Sequence, residues 1–221
     1  MLEYEWPRWL PDEVLFPVMR VAMSEASAAG YRGVVAQVPA AARELAKAGA
    51  SVVAFACTVG SLFEGAAREA ALVEAMAHAS GLPALSLGET SIAALRAVGA
   101  TRLAVLTPYS DEVNGWVAAY LAEHGIAVSG FVATPVDIVT VGNLPADEIA
   151  GIAIAAMARM PDAEALWIPC TAIRTLDAIV AIEAATGRPA IGASQALLWR
   201  ALAILGLADA GRPCGRLFQT I

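Results

Sequence analysis

The sequence is poor in lysine, histidine and cysteine, and each shortage removes a class of function. Lys47 is the only lysine, and His78 and His124 are the only histidines. Both histidines fall late in helical patterns, away from strand ends, and are expected to be solvated. Neither a histidine-based triad nor a histidine metal site is therefore expected. The three cysteines are widely spaced and form neither a disulfide framework nor a CxxC metal motif. Reduced thiols in a cytoplasmic setting are the simplest expectation.

Charge is also scarce. Charged residues make up 16%, the net charge is −7 and the isoelectric point is near 4.8. An acidic surface argues against a nucleic-acid or anionic-membrane partner, since both need basic patches. No apolar run reaches the roughly 18 residues of a membrane span. The opening Met1-Leu2-Glu3-Tyr4-Glu5 is acidic and shows no secretory h-region. Gly60 and Gly65 do not form GxGxxG, and no GKS or GKT occurs, so nucleotide binding has no support. No cofactor is expected.

What is present is a chain of 221 residues that is 58% hydrophobic. That excludes disorder and suffices for one large α/β domain or two small ones. So much apolar surface also predicts a homo-oligomer. Apolar runs alternate with helical patterns. Strands are expected at 14–21, with Pro17 marking an edge or distortion, and at 51–56, 83–87, 102–106, 126–132, 165–168 and 190–191. Helices are expected from Pro39 as first residue to 48, from a Ser61–Glu64 capping box to 80, and over 89–98, 111–123, 145–160, 173–185 and 195–205. The alternation predicts an α/β fold with parallel sheets flanked by helices.

The chain also repeats itself. The strand Val52-Val53-Ala54-Phe55-Ala56 ends in Cys57-Thr58, and Leu166-Trp167-Ile168-Pro169 ends in Cys170-Thr171. Each is followed by a helix and then by Gly-x-Pro-Ala, at Gly81–Ala84 and Gly187–Ala190. Two similar lobes related by a pseudo-two-fold axis are expected. The first takes in residues 1–106 and 206–221, the second 107–205, intertwined as one unit with the active site in the cleft between them.

In open parallel sheets, ligands sit at the carboxyl ends of the strands, where both Cys57 and Cys170 fall. A thiol at a helix start is favoured as thiolate, and the following N–H groups can hold a carboxylate or an enediolate. The hydroxyls of Thr58, Ser61 and Thr171 are candidate donors. Two thiols on opposite faces of a planar intermediate permit proton transfer with inversion. Alternatively, one thiolate adds to a conjugated double bond, which rotates before the adduct collapses. A lone cysteine more often packs than reacts; the matched contexts of this pair point to function. Cys214 has no repeat partner and is read as structural. Tyr109, at another strand end, is a candidate for the substrate carboxylate. Asp137 and Asp177 are lone carboxylates; Asp177 is expected exposed or capping.

The segments Ala56-Cys57-Thr58-Val59-Gly60-Ser61, Pro108-Tyr109, Ile168-Pro169-Cys170-Thr171-Ala172-Ile173-Arg174, Gly187-Arg188-Pro189 and Ser194-Gln195-Ala196 resemble the aspartate/glutamate racemase superfamily. Within it, the chain looks most like the maleate cis–trans isomerase and arylmalonate decarboxylase branch, over residues 3–218. The resemblance implies two pseudo-symmetric lobes, no metal, no cofactor and catalysis by Cys57 and Cys170. It implies a small-carboxylate pocket lined by Thr58, Val59, Tyr109, Ile138, Val141 and Thr171. The decarboxylase branch has glycine in place of the first cysteine, so Cys57 favours an isomerase or racemase. Ile138 stands where the maleate isomerases carry Asn, an apolar choice that resembles the decarboxylases. Family members usually begin with a strand and a Pro-Ser-Ser-Asn-Thr-like loop, and the resemblance here starts beyond it. The expectation is an isomerase or racemase of a small carboxylic acid. An arylmalonate-type decarboxylase with Cys170 as proton donor and an inactive carboxylate-binding protein are the alternatives.

Overall fold

The computed structural model describes residues 1–12, 14–23, 25–208 and 214–220. A short helix α1 (Leu2–Glu5) and a 3-10 turn (Trp6–Arg8) open the chain. Then α2 (Ala28–Lys47) starts at Ser27, whose hydroxyl accepts the Gly30 N–H at 3.1 Å. Pro39 lies inside α2 instead of starting it. Tyr31, Val34, Val38 and Ala42 form one buried stripe at helical spacing across the proline. Burial of that stripe holds together a helix that proline weakens locally.

Next come β1 (Val53–Phe55), α3 (Thr58–Leu62), α4 (Ala66–Ser80), β2 (Ala84–Ser86) and α5 (Leu87–Ala97). The single helix expected from Ser61 is two. Gly65 at φ +84° breaks the chain between α3 and α4, and the Ser61 hydroxyl donates back to the Cys57 carbonyl at 2.8 Å instead of capping. The remaining elements are β3 (Arg102–Thr107), α6 (Asp111–Glu123), β4 (Ala127–Ala133), α7 (Ala146–Arg159), β5 (Ala165–Ile168), α8 (Leu176–Thr186), β6 (Ala190–Gly192) and α9 (Ala193–Ile204).

All strand pairs are parallel. β1 and β2 form a two-stranded sheet; the other four run in the order β4-β3-β5-β6. The lobe boundary expected after residue 106 thus cuts β3, a strand of the second sheet. Residues 209–213 and 221 of the expected 206–221 return lie outside the described residues.

Val14–Val21 is not a strand. The segment pairs with no sheet strand, and Leu15 is 88% exposed. Burial alternates only from Val14 to Pro17, and Val18, Met19 and Arg20 are all exposed, so the apolar run is not the face of a sheet strand. One buried cluster unites Leu85 and Leu87 with Leu106, Leu166, Ile168 and Cys170, so both sheets share a core. A smaller one packs α2 and α4 over β1.

Candidate active site

The residues singled out by the sequence follow the carboxyl ends of β1 in one sheet and of the paired strands β3 and β5 in the other. Cys57 follows β1 and is the N-cap residue of α3, in extended backbone at φ −130°, ψ 104°. Cys170 follows β5 and is 3% exposed. Burial pushes the Cys57 thiol up, the Gly60 N–H pulls it back, and nearby Cys170 adds to the rise. Burial also pushes Cys170 up, against the Ala172 N–H, the Tyr109 hydroxyl and the Ile173 N–H. Burial thus outweighs the donors at both sulfurs, and the expected preference of a helix-start thiol for thiolate is overturned: each is held toward the neutral thiol.

Tyr109, just past β3, packs against three buried clusters, including those holding Cys57 and Cys170. Its hydroxyl is pushed well up by burial and then by Cys170, Cys57 and Tyr31. Asn114 braces this turn, accepting from the Thr107 hydroxyl at 2.8 Å and donating to the Tyr109 carbonyl at 3.4 Å. The Thr58 hydroxyl donates to the Pro169 carbonyl and so joins the two cysteine loops directly.

That bond corrects one expectation. The Thr58 and Ser61 hydroxyls are engaged by backbone carbonyls at or beside the cysteines. These carbonyls lie where the strands stop, outside any ladder. What remains for a carboxylate near Cys57 is the start of α3. Thr171 is half-buried in the turn after Cys170. Val59 is buried beside Tyr31 and Val113. Val141, expected to line the pocket, is fully buried in the shared core. It backs the β4–α7 loop and has no surface to offer a ligand. Ile138, in the same loop, is 41% exposed.

Sequence reasoning missed Tyr31. It lies in the first turn of α2, far from any strand end, where strand-end logic does not look. Its hydroxyl is pushed up to about 12 by burial, then by Cys57 and Cys170. Its ring meets Phe63 at 5.7 Å and Trp116 at 6.3 Å, and those two meet at 6.0 Å. An aromatic wall thus stands beside Cys57. The only signal in the sequence was an aromatic on the apolar stripe of α2.

The other residues singled out serve structure. The Cys214 thiol donates to the Leu176 carbonyl at 3.4 Å. Asp177 pairs with Arg8 at 2.8 Å. The Asp137 carboxyl is held low first by the Thr140 hydroxyl and then by the Thr140 and Val139 N–H groups, all of which donate to it. His124 is packed, not solvated: its ring lies 4.7 Å from that of Tyr120, and its Nε2 is buried without a partner. Among the described residues no cluster of His, Cys, Asp and Glu suits a metal, and no helix is long and apolar enough to cross a membrane.

The chain is similar to known proteins over most of its length. The family model for arylmalonate decarboxylase matches residues 5–218. Arylmalonate decarboxylase of Bordetella bronchiseptica is 33% identical over 214 residues, 96% of this chain and 89% of that protein. Maleate isomerase of Nocardia farcinica is 30% identical over 215 residues, 94% of this chain and 84% of that one. A crystal structure of a mutant of the Nocardia farcinica maleate cis–trans isomerase superposes with a TM-score of 0.81 at 27% identity, over 94% of this chain and 86% of that one; it carries a covalently bound succinylcysteine intermediate.

Proposed function

The chain belongs to the arylmalonate decarboxylase family, and from that premise we propose that it is a racemase or cis–trans isomerase of a small carboxylic acid, working through Cys57 and Cys170 without a cofactor. The observation that carries the reading is that the two cysteine loops meet: Thr58 beside Cys57 bonds Pro169 beside Cys170, and Tyr109 packs against the clusters of both thiols.

The pair can run in either direction. In the racemase route one sulfur, as thiolate, takes the α-proton, and the C–H electron pair moves into the carboxylate as an enediolate. The other thiol then returns a proton from the opposite face and becomes the thiolate. In the isomerase route the thiolate adds to the double bond, the new single bond rotates, and elimination restores thiolate and alkene. The succinylcysteine in the maleate isomerase supports this second route. The Thr171 N–H in the Cys170 turn and the Tyr109 hydroxyl suit the carboxylate.

A second reading has its own support. The matching family model is that of a decarboxylase, and the rings of Tyr31, Phe63 and Trp116 suit an apolar substituent. There the bond to the departing carboxylate breaks, CO₂ leaves, and the Cys170 thiol protonates the remaining enediolate. Turnover in D₂O separates the two. Isomerisation or deuterium exchange without CO₂ is the expected result; CO₂ release with one deuterium incorporated would replace it with the decarboxylase. The setting proposed is the cytoplasm, where thiols stay reduced, and the assembly a homo-oligomer.

A further inference from the structure

A second buried polar cluster lies just beyond Cys170. The loop from Cys170 to Thr175 joins β5 to α8 and begins as a tight turn, in which the Ile173 N–H donates to the Cys170 carbonyl at 3.2 Å. One end of the loop is fixed by β5. The other end is fixed by groups remote in sequence.

Glu5, 1% exposed, accepts the Thr175 N–H at 2.7 Å and the Leu176 N–H at 2.9 Å with one oxygen. The Leu176 carbonyl is held by the Cys214 thiol, and Asp177 by Arg8. The first turn of α8 is therefore gripped by its N–H groups, a carbonyl and a side chain.

Nothing local does this work. Thr175, the N-cap residue of α8, makes no side-chain capping bond, and its Oγ1 is buried without a partner. A serine, threonine or aspartate cap is the ordinary solution. Here the acceptor is the carboxyl group of Glu5 from α1, which burial pushes up against the pull of the Leu176 and Thr175 N–H groups. Its second oxygen and the Ser194 hydroxyl are also buried without a partner. Burying a carboxylate is unfavourable, and a helix end that needed only a cap would not require it.

We propose that Glu5 is a positioning residue for Cys170: by pinning the first turn of α8 it fixes the far end of the short loop that carries the sulfur. The proposal rests on Cys170 being a working thiol, but its test reads the thiol itself and needs no substrate.

The test is the rate of iodoacetamide alkylation of Cys170 at one pH near neutrality, mapped by mass spectrometry, with Cys57 as internal reference. Glu5→Gln keeps an acceptor oxygen and is expected within about twofold of wild type. Glu5→Met keeps the volume and loses the acceptor. Cys170 should then react about tenfold more slowly, the effect of one pKa unit on thiolate population, with Cys57 unchanged. Should Glu5→Met fail to fold, Glu5→Asp carries the test: one methylene short, it is expected to slow Cys170 by about threefold. An unchanged Cys170 rate in the folded variant overturns the proposal. So does faster reaction of both thiols, the mark of a loosened fold. Slower Cys170 alkylation beside a silent D₂O assay would sink the isomerase reading and leave the positioning role standing.

Discussion

At the residue scale, the site is a problem of holding charge in an enclosed space. Both thiols are pushed up mainly by burial. A raised thiol is neutral at neutral pH, and its thiolate fraction grows as pH rises. Alkylation of both cysteines in the wild-type protein should therefore still be climbing past pH about 8.5, where a free cysteine is half ionised. Tyr109→Phe removes a donor from Cys170, so its alkylation should slow several-fold further while the protein stays folded. A rate that levels off well below pH about 8 would contradict the assigned surroundings. Gly60 is a second point of control. A methyl group there would stand 3.1 Å from Cys57 Sγ and 2.9 Å from the Phe55 ring. The turn after Cys57 thus needs a residue without a side chain.

At the element scale, buried carboxylates do the joining. Glu69 of α4 accepts the Ser86 hydroxyl at 2.6 Å, the Glu89 N–H at 2.9 Å and the Tyr120 hydroxyl, so it ties α4 to α5 and α6. Glu69→Ala leaves the Ser86 and Tyr120 hydroxyls without this acceptor and should destabilise by about 3 kcal/mol. Calorimetry should show a Tm lower by on the order of 6–12 °C. Burial raises the Glu69 carboxyl above its ordinary value of 4.5. The protonated form is thus favoured on folding, and that contribution is full below pH 4.5 and lost as pH rises through the folded value. The Tm advantage of wild type over Glu69→Gln should shrink as pH rises from about 4.5 toward neutrality. An advantage that grows over that range would mean the carboxylate is the favoured form. Glu183 plays a similar part for the second sheet, accepting the Ala190 and Arg216 N–H groups at 3.0 and 2.8 Å. Arg188, within the repeated Gly-x-Pro-Ala, donates to three carbonyls at the end of α7 and just beyond, which accounts for an arginine there.

At the scale of the whole molecule, two sheets of unequal size meet over a common core, and the Thr58–Pro169 bond joins them at the site. Thr58→Val keeps the shape and removes that bond. It should lower stability by about 1–3 kcal/mol in thermal unfolding, still as a single transition because the core spans both sheets. Turnover should fall through kcat more than KM, since the bond sets one thiol against the other. Much of this protein was legible along the chain. The spans of α6 and β5 and the two Cys-Thr strand ends follow from local periodicity and turn chemistry. Those signals concern neighbours in sequence, and burial period and backbone sterics act over a few residues. The course of α2 through Pro39, the exposed path of Val14–Val21, the burial of Val141, the presence of Tyr31 beside the thiols and the grip of Glu5 on α8 were settled only in three dimensions. Each depends on which surface arrives from a distant part of the chain to cover or partner a group. Glu5 and Thr175 are 170 residues apart, and no pattern local to either records that they meet.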